Sequence, residues 1–191
     1  MLKLTLDTNC VIALDENREP EATCLRSLLT KHTAEKVHLQ LIAASASERQ
    51  STGPYLDNFS KFRERLEILG LAHLPLLLPI AVADVSYLDW CVLASDDDVR
   101  LLDDIYRTLF PGQPLSLQEA ISRAGTEADL GAVEHKWRNR ELDVHALWCH
   151  LHYGGDIFVS SDKNFHKKKD QLTRFGSPLI FTPCQADARV P

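Results

Sequence analysis

Residues Leu2 to Leu14 read LKLTLDTNCVIAL. Leucines at positions 2, 4 and 6 alternate with polar neighbours, the period-two pattern of a buried strand. Asp7-Thr8-Asn9 then marks a turn, and an apolar run from Cys10 to Leu14 starts a helix. A strand that passes at once into a helix is the unit of an α/β fold with a parallel sheet. Such sheets bind ligands beyond the carboxyl ends of their strands. Asp7 occupies that place.

The rest of the chain repeats the alternation. Pro20 suits the first turn of a helix, and Ala22, Leu25, Leu28 and Leu29 continue it at helical period to about His32. Val37 to Ala43 alternates as a second strand. Ser45 or Ser47 can cap the helix that follows, which puts Glu48 in its first turn. Asp57 to Leu69 is a further amphipathic helix. From Gly70 to Gly125 the pattern is harder to read, and the stretch is taken as a helical insertion or elaborated middle section. Within it lie a Pro-punctuated apolar run (Leu74 to Val85), a strand near Val85 to Leu88, and helices over about Asp97 to Phe110 and Leu117 to Ala124. Two helices, Glu127 to Trp137 and Leu142 to Tyr153, precede a strand at Ile157 to Ser160. A basic helix from Lys163 to Leu172, a last strand at Leu179 to Phe181 and a loose tail complete the chain. The expected fold is one three-layer α/β/α domain spanning residues 1–191, with a central, mainly parallel sheet.

Composition excludes several classes. Of the 191 residues 45% are hydrophobic and 25% charged, as in a globular domain with a sizeable core. The most apolar stretch, Leu71 to Ala83, is too short to span a bilayer, and the N-terminus lacks the pattern of a signal peptide. A net charge of −6 rules against a generally basic nucleic-acid binder but leaves room for a local basic patch. The five cysteines are odd in number, widely spaced and without a CxxC pair. They point to reduced thiols in a cytoplasmic protein, and away from a disulfide framework or a Cys-type zinc site. No P-loop or GxGxxG occurs.

In a parallel sheet, Asp7 and Asp162 follow strands that end on the same edge. Glu48 follows the second strand on that edge, and Asp143 opens the helix before the Ile157 strand. Each has a plain structural alternative: Asp7 and Asp143 as helix caps, Glu48 as a surface acid, Asp162 as a strand-end polar group. The argument rests on convergence. Four carboxylates on one edge repel one another unless a cation or protons intervene, and hard oxygen ligands suit Mg²⁺ or Mn²⁺. Such ions can activate water and steady the leaving oxygen of a phosphodiester.

This constellation resembles the PIN-domain family of metal-dependent ribonucleases. The matching stretches are LTLDTN (Leu4 to Asn9), ASASE (Ala44 to Glu48), LDVHALWCHLHYGGDIFVSSDKNF (Leu142 to Phe165) and LIFTP (Leu179 to Pro183). Together they draw on about two-thirds of the chain. Ser160-Ser161-Asp162 departs from the family's usual Thr-x-Asp, with Ser160 in the Thr role. The resemblance implies a Mg²⁺ or Mn²⁺ site and catalytic centre at Asp7, Glu48, Asp143 and Asp162. It also implies orienting or phosphate-binding roles for Asn9 and Ser160, and an RNA substrate. An antitoxin-like partner and a homodimer are further implications, drawn from toxin-type members. The middle section departs from compact members of the family.

Lys163, Lys167 and Lys168, with His166 and Lys169, form a basic helix beside Asp162. Arg138 and Arg140 lie close in sequence to Asp143. Both groups are candidates to hold an RNA backbone by charge. His145, His150 and His152 lack the companions of a zinc site and read as core or surface residues. Asp156, just before a strand, reads as structural. Two rival functions remain: a catalytically weak binding or scaffold module on the same fold, and a small-molecule phosphohydrolase.

Overall fold

The computed structural model describes residues 1–44, 59–82, 90–125, 128–176 and 178–191. The order is β1 (Leu2–Leu6), α1 (Thr8–Asp15), α2 (Glu21–Thr33), β2 (Val37–Ile42), α3 (Phe59–Ile68), β3 (Leu76–Leu77), α4 (Asp96–Leu109) and α5 (Leu117–Ala124). Then come α6 (Leu130–His152), β4 (Ile157–Val159), α7 (Lys163–Leu172), a 3-10 turn (Thr173–Phe175), β5 (Leu179–Phe181) and α8 (Pro183–Arg189). The five strands form one sheet in the order β3-β2-β1-β4-β5, parallel throughout. Leu4 lies opposite both Leu39 and Ile157, and Leu6 opposite both Leu41 and Val159. The chain winds outward from β1 to β3, then returns to the other side of β1. The switch in direction falls between β1 and β4, where doubly wound sheets open a crevice at their carboxyl edge.

Strand alternation divides the interior into two cores. Leu4, Leu6, Val37, Leu39, Leu41, Ile157 and Val159 point to one face and pack with residues of α1, α2, α3 and α8. Ile42, Phe158 and Ile180 point to the other and pack with α4, α5, α6 and α7. This is the expected three-layer α/β/α architecture. No helix among the described residues is long and apolar enough to cross a membrane.

Several expectations need correction. The two helices expected before β4 are one, the 23-residue α6. The polar run from Arg138 to Glu141 does not break it, because no Gly or Pro occurs from Ala132 to Tyr153. Trp137 anchors that middle turn by donating from Nε1 to the Leu115 carbonyl at 3.2 Å. Inside the Pro-punctuated run, the two-residue β3 joins the sheet beside β2. The tail is a helix rather than a loose end: Thr182 and Gln185 form a reciprocal capping box with Pro183 in the first turn. Lys31 Nζ reaches across from α2 to the carbonyls of Asp187 and Val190, each at 2.7 Å. Cys24 of α2 and Cys184 of α8 form a disulfide across 160 positions, against the expected set of reduced thiols. That pairing removes the cysteine argument for a reducing compartment. Cys10, Cys91 and Cys149 are free, with Cys10 and Cys149 buried. The strand expected near Val85 to Leu88, the Ser45 or Ser47 cap and the start of the helix from Asp57 lie outside the described residues.

Candidate active site

At the β1–β4 switch point, Asp7 ends β1 as the N-cap of α1, and Asp162 follows β4 as the N-cap of α7. Asp7 N–H donates to the Val159 carbonyl at 3.0 Å, which ties the two strand ends together. The Asp7 carboxylate is buried, with three donors directed at it. Oδ1 accepts from the Thr8 N–H at 2.7 Å. Oδ2 accepts from Asn9 Nδ2 at 2.6 Å and from the Ser160 hydroxyl at 2.7 Å. Burial raises its pKa to about 6, and the nearby Asp162 charge adds to the rise, against the lowering effect of the bonds from Ser160, Thr8 and Asn9. A buried carboxylate beside a second carboxylate carries excess negative potential that a cation would relieve.

Asn9 and Ser160 hold this arrangement rigid. The Ser160 hydroxyl donates to Asp7 and accepts from Asn9 Nδ2 at 2.9 Å and from the Asp162 N–H at 3.0 Å. A hydroxyl has one donor and two acceptor positions, so its capacity is used. Asn9 Oδ1 accepts the Ser161 N–H at 3.0 Å. Both side chains thus position Asp7 and the 160–162 backbone. The His166 ring donates from Nε2 to the Ser160 carbonyl at 2.8 Å and braces the same turn. Asp162 spends Oδ1 on the Asn164 N–H, at 2.6 Å.

Asp143 does not open a helix. It lies well inside α6, which excludes the N-cap alternative. Positions 136, 140, 143, 147 and 150 recur at spacings of four and three, and so share a helix face. That face meets β1. His150 Nδ1 lies 2.9 Å from Thr5 Oγ1, and Gln40 Nε2 donates to the same hydroxyl at 2.9 Å. Gly155 lets the contact close: a Cβ there would collide with the His150 ring and sit 2.8 Å from Thr5 Oγ1. From His150 back to Asp143 the helix rises about 10 Å; from Thr5 to Asp7 the antiparallel-running strand advances about 7 Å. The half-buried Asp143 is therefore set along α6 toward the carboxyl ends of the strands.

Glu48 lies outside the described residues. Among the described residues, no three His, Cys, Asp or Glu side chains form a group able to hold a metal ion. Of the four candidate carboxylates, Asp7 and Asp162 are the two seen to act on each other. Lys163 and Lys167 are exposed on α7, and the half-buried Lys168 approaches Gln171 Oε1 at 3.5 Å. Arg138 is half-buried and about 140° around α6 from Asp143. Arg140 turns toward the Tyr106 hydroxyl on α4. Asp156 takes its structural place: its Oδ2 accepts the Lys3 N–H at 2.7 Å, and its own N–H donates to the Lys3 carbonyl at 2.8 Å. His145 and His150 are fully buried core residues and His152 is exposed, as their spacing suggested. The sequence reading did not separate His166 from its lysine neighbours. Its i+6 spacing from Ser160, across a helix cap, was the available signal.

Comparison with protein-family models and with curated proteins finds no match to this chain.

Proposed function

We propose that the protein is a Mg²⁺- or Mn²⁺-dependent ribonuclease whose centre is the β1–β4 crevice. The observation that carries this reading is the pairing of buried Asp7 with Asp162 at the switch point, with Asp7 raised to about 6. The donor set suits the ion: Mg²⁺ is commonly held by one or two carboxylates and completes its shell with waters and phosphate oxygens. Asp7 and Asp162 would hold it, with Asp143 and Glu48 as further candidates. When bound, such an ion supplies an activated water and charge to offset the phosphoryl oxygens. The chain's own part is positional. Asn9 and Ser160 fix the Asp7 carboxylate, the Ser160 hydroxyl fixes the Asp162 backbone, and the lysines of α7 draw the RNA backbone toward the edge. The resemblance of the LTLDTN and FVSSDKNF stretches to PIN-domain nucleases supports RNA as the substrate. An antitoxin-like partner, a homodimer and a cytoplasmic setting belong to the same reading as its further consequences.

The test is cleavage of mixed cellular RNA in Mn²⁺ by wild type and by Asp162→Asn. Asp→Asn preserves shape and cancels charge. Discrete cleavage by wild type that disappears in the variant and in chelator is the expected result. Equal cleavage by both removes Asp162 from the centre. Mn²⁺ binding by wild type without cleavage favours the scaffold reading, and turnover of a simple phosphate ester with indifference to RNA favours a phosphohydrolase.

A further inference from the structure

Beyond the carboxylates, α6 carries its inner face past the edge of the sheet. One and two turns up from Asp143 on that face are Arg140 and Lys136, about 4 and 10 Å away along the axis. There α6 packs against α5, and the two helices with the turn at Gly112 to Pro114 enclose a cleft of about 310 Å³. Its lining combines apolar Val133, Ala120 and Pro114 with three cations: Arg123 from α5, and Lys136 and Arg140 from α6. Arg123 is held in place, donating to the Gly112 carbonyl at 2.9 Å and pairing with Glu119. Arg140 is half-buried beside Tyr106, whose hydroxyl donates to the Pro114 carbonyl at 2.7 Å. Glu119 is the carboxylate paired at the cleft, while Asp103 and Glu141 act on each other on the α4 side. Three cations against the paired Glu119, with Glu141 also acting on Tyr106 beside Arg140, leave the cleft lining net positive in a chain of net charge −6.

We propose that this α5–α6 cleft binds a phosphate group of the substrate RNA strand through Arg123, Lys136 and Arg140, and sets the path of the strand toward the crevice. The identity of the ligand as RNA rests on the ribonuclease reading; the anion chemistry of the cleft does not. A guanidinium fork matches phosphate oxygens bidentately, and an ammonium adds a mobile point charge. Placed on the Asp143 face, the cleft would hold the backbone a few residues of helix away from the carboxylates.

The experiment measures binding, so that it is independent of cleavage. A fluorescent single-stranded RNA is titrated with full-length protein in EDTA at several salt concentrations. Wild type, Lys136→Gln, Lys136→Gln/Arg140→Gln and a distant control, Lys36→Gln at the opposite edge of the sheet, are compared. The double variant is expected to bind several-fold more weakly, and its plot of log K against log salt to flatten by about 0.7, the value for one lost phosphate contact on a single strand. Lys136→Gln, an exposed change that leaves the Arg140–Tyr106 contact intact, is expected to lose about half of that slope. The control is expected to match wild type. Equal affinity and slope in wild type and both cleft variants overturns the proposal, as does an absence of RNA binding by wild type. Inorganic phosphate is the second probe: binding of phosphate without RNA would assign the cleft to a free anion and overturn the strand-path proposal. RNA binding that responds to the cleft variants without Mn²⁺-dependent cleavage would sink the nuclease reading alone. Cleavage with no response to the variants would sink the cleft alone.

Discussion

The two faces of the sheet do different work with the same five strands. The face covered by α1, α2, α3 and α8 is packed from Leu, Val, Ile and Phe side chains. The face covered by α4 to α7, together with its carboxyl edge, holds the buried polar groups of the described residues: Thr5, Asp7, Gln40, Thr108, His145, His150 and Ser160. Buried polar groups cost free energy unless they are hydrogen-bonded. On the second face most of them are bonded, through Gln40–Thr5–His150 and Asn9–Asp7–Ser160. Both faces supply stability by burial, and on the second that burial also offsets the cost of a fixed arrangement of charge and hydrogen bonds.

The contrast breaks first if burial on the first face contributes little to stability. Leu39 is fully buried there, and Leu39→Ala is expected to cost about 3–5 kcal/mol in urea unfolding. A loss below about 1 kcal/mol would show that this face is loosely packed. The polar face should respond in function instead. Ser160→Ala removes the hydroxyl that joins Asp7, Asn9 and Asp162, and Mn²⁺ affinity by calorimetry is expected to fall about 10- to 100-fold. An unchanged affinity would separate this hydroxyl network from ion binding.

A pH series sharpens the same contrast. The Asp7 carboxyl titrates near 6, above its ordinary 3.8, because burial disfavours its charge. Its contribution to metal-free stability is therefore full at acid pH, below 3.8, and is lost as pH rises through about 6. Mn²⁺ needs the ionised form, so its affinity is expected to hold above about pH 6 and to fall about tenfold per unit below it. An affinity flat between pH 7.5 and 5 would exclude Asp7 as a ligand. The smallest effect belongs to His145. It is fully buried and neither ring nitrogen is hydrogen-bonded, and burial lowers its pKa to about 4. Staying neutral when folded, it contributes stability above its ordinary 6.5 that is lost as pH falls toward 4. His145→Leu is expected to gain about 1 kcal/mol at pH 7 by urea titration, and to make the acid limb shallower. A loss of more than about 1 kcal/mol would mean that the imidazole is a needed part of the core.

What the sequence by itself determined lies where interactions are local. The alternation of Leu2, Leu4 and Leu6, the turn at Asp7, the helix from Lys163 to Leu172, the strand from Leu179 to Phe181 and the helix from Leu117 to Ala124 closed by Gly125 could all be read from period and punctuation. The Thr182-Pro183-Cys184-Gln185 cap of α8 was equally legible, as a capping box with Pro in the first turn, although the segment read as loose. Tertiary structure alone decided the rest. β3 has two residues, too few to show a period, and exists because β2 offers it an edge. α6 runs unbroken through a polar stretch because Trp137 finds Leu115 on another element. Cys24 meets Cys184 because α8 folds back on α2, a pairing that an odd cysteine count conceals. Asp7 and Asp162 come together for the same reason. Their residue types were visible as candidates, but their proximity comes from parallel pairing of strands more than 150 positions apart, and no local pattern encodes that distance.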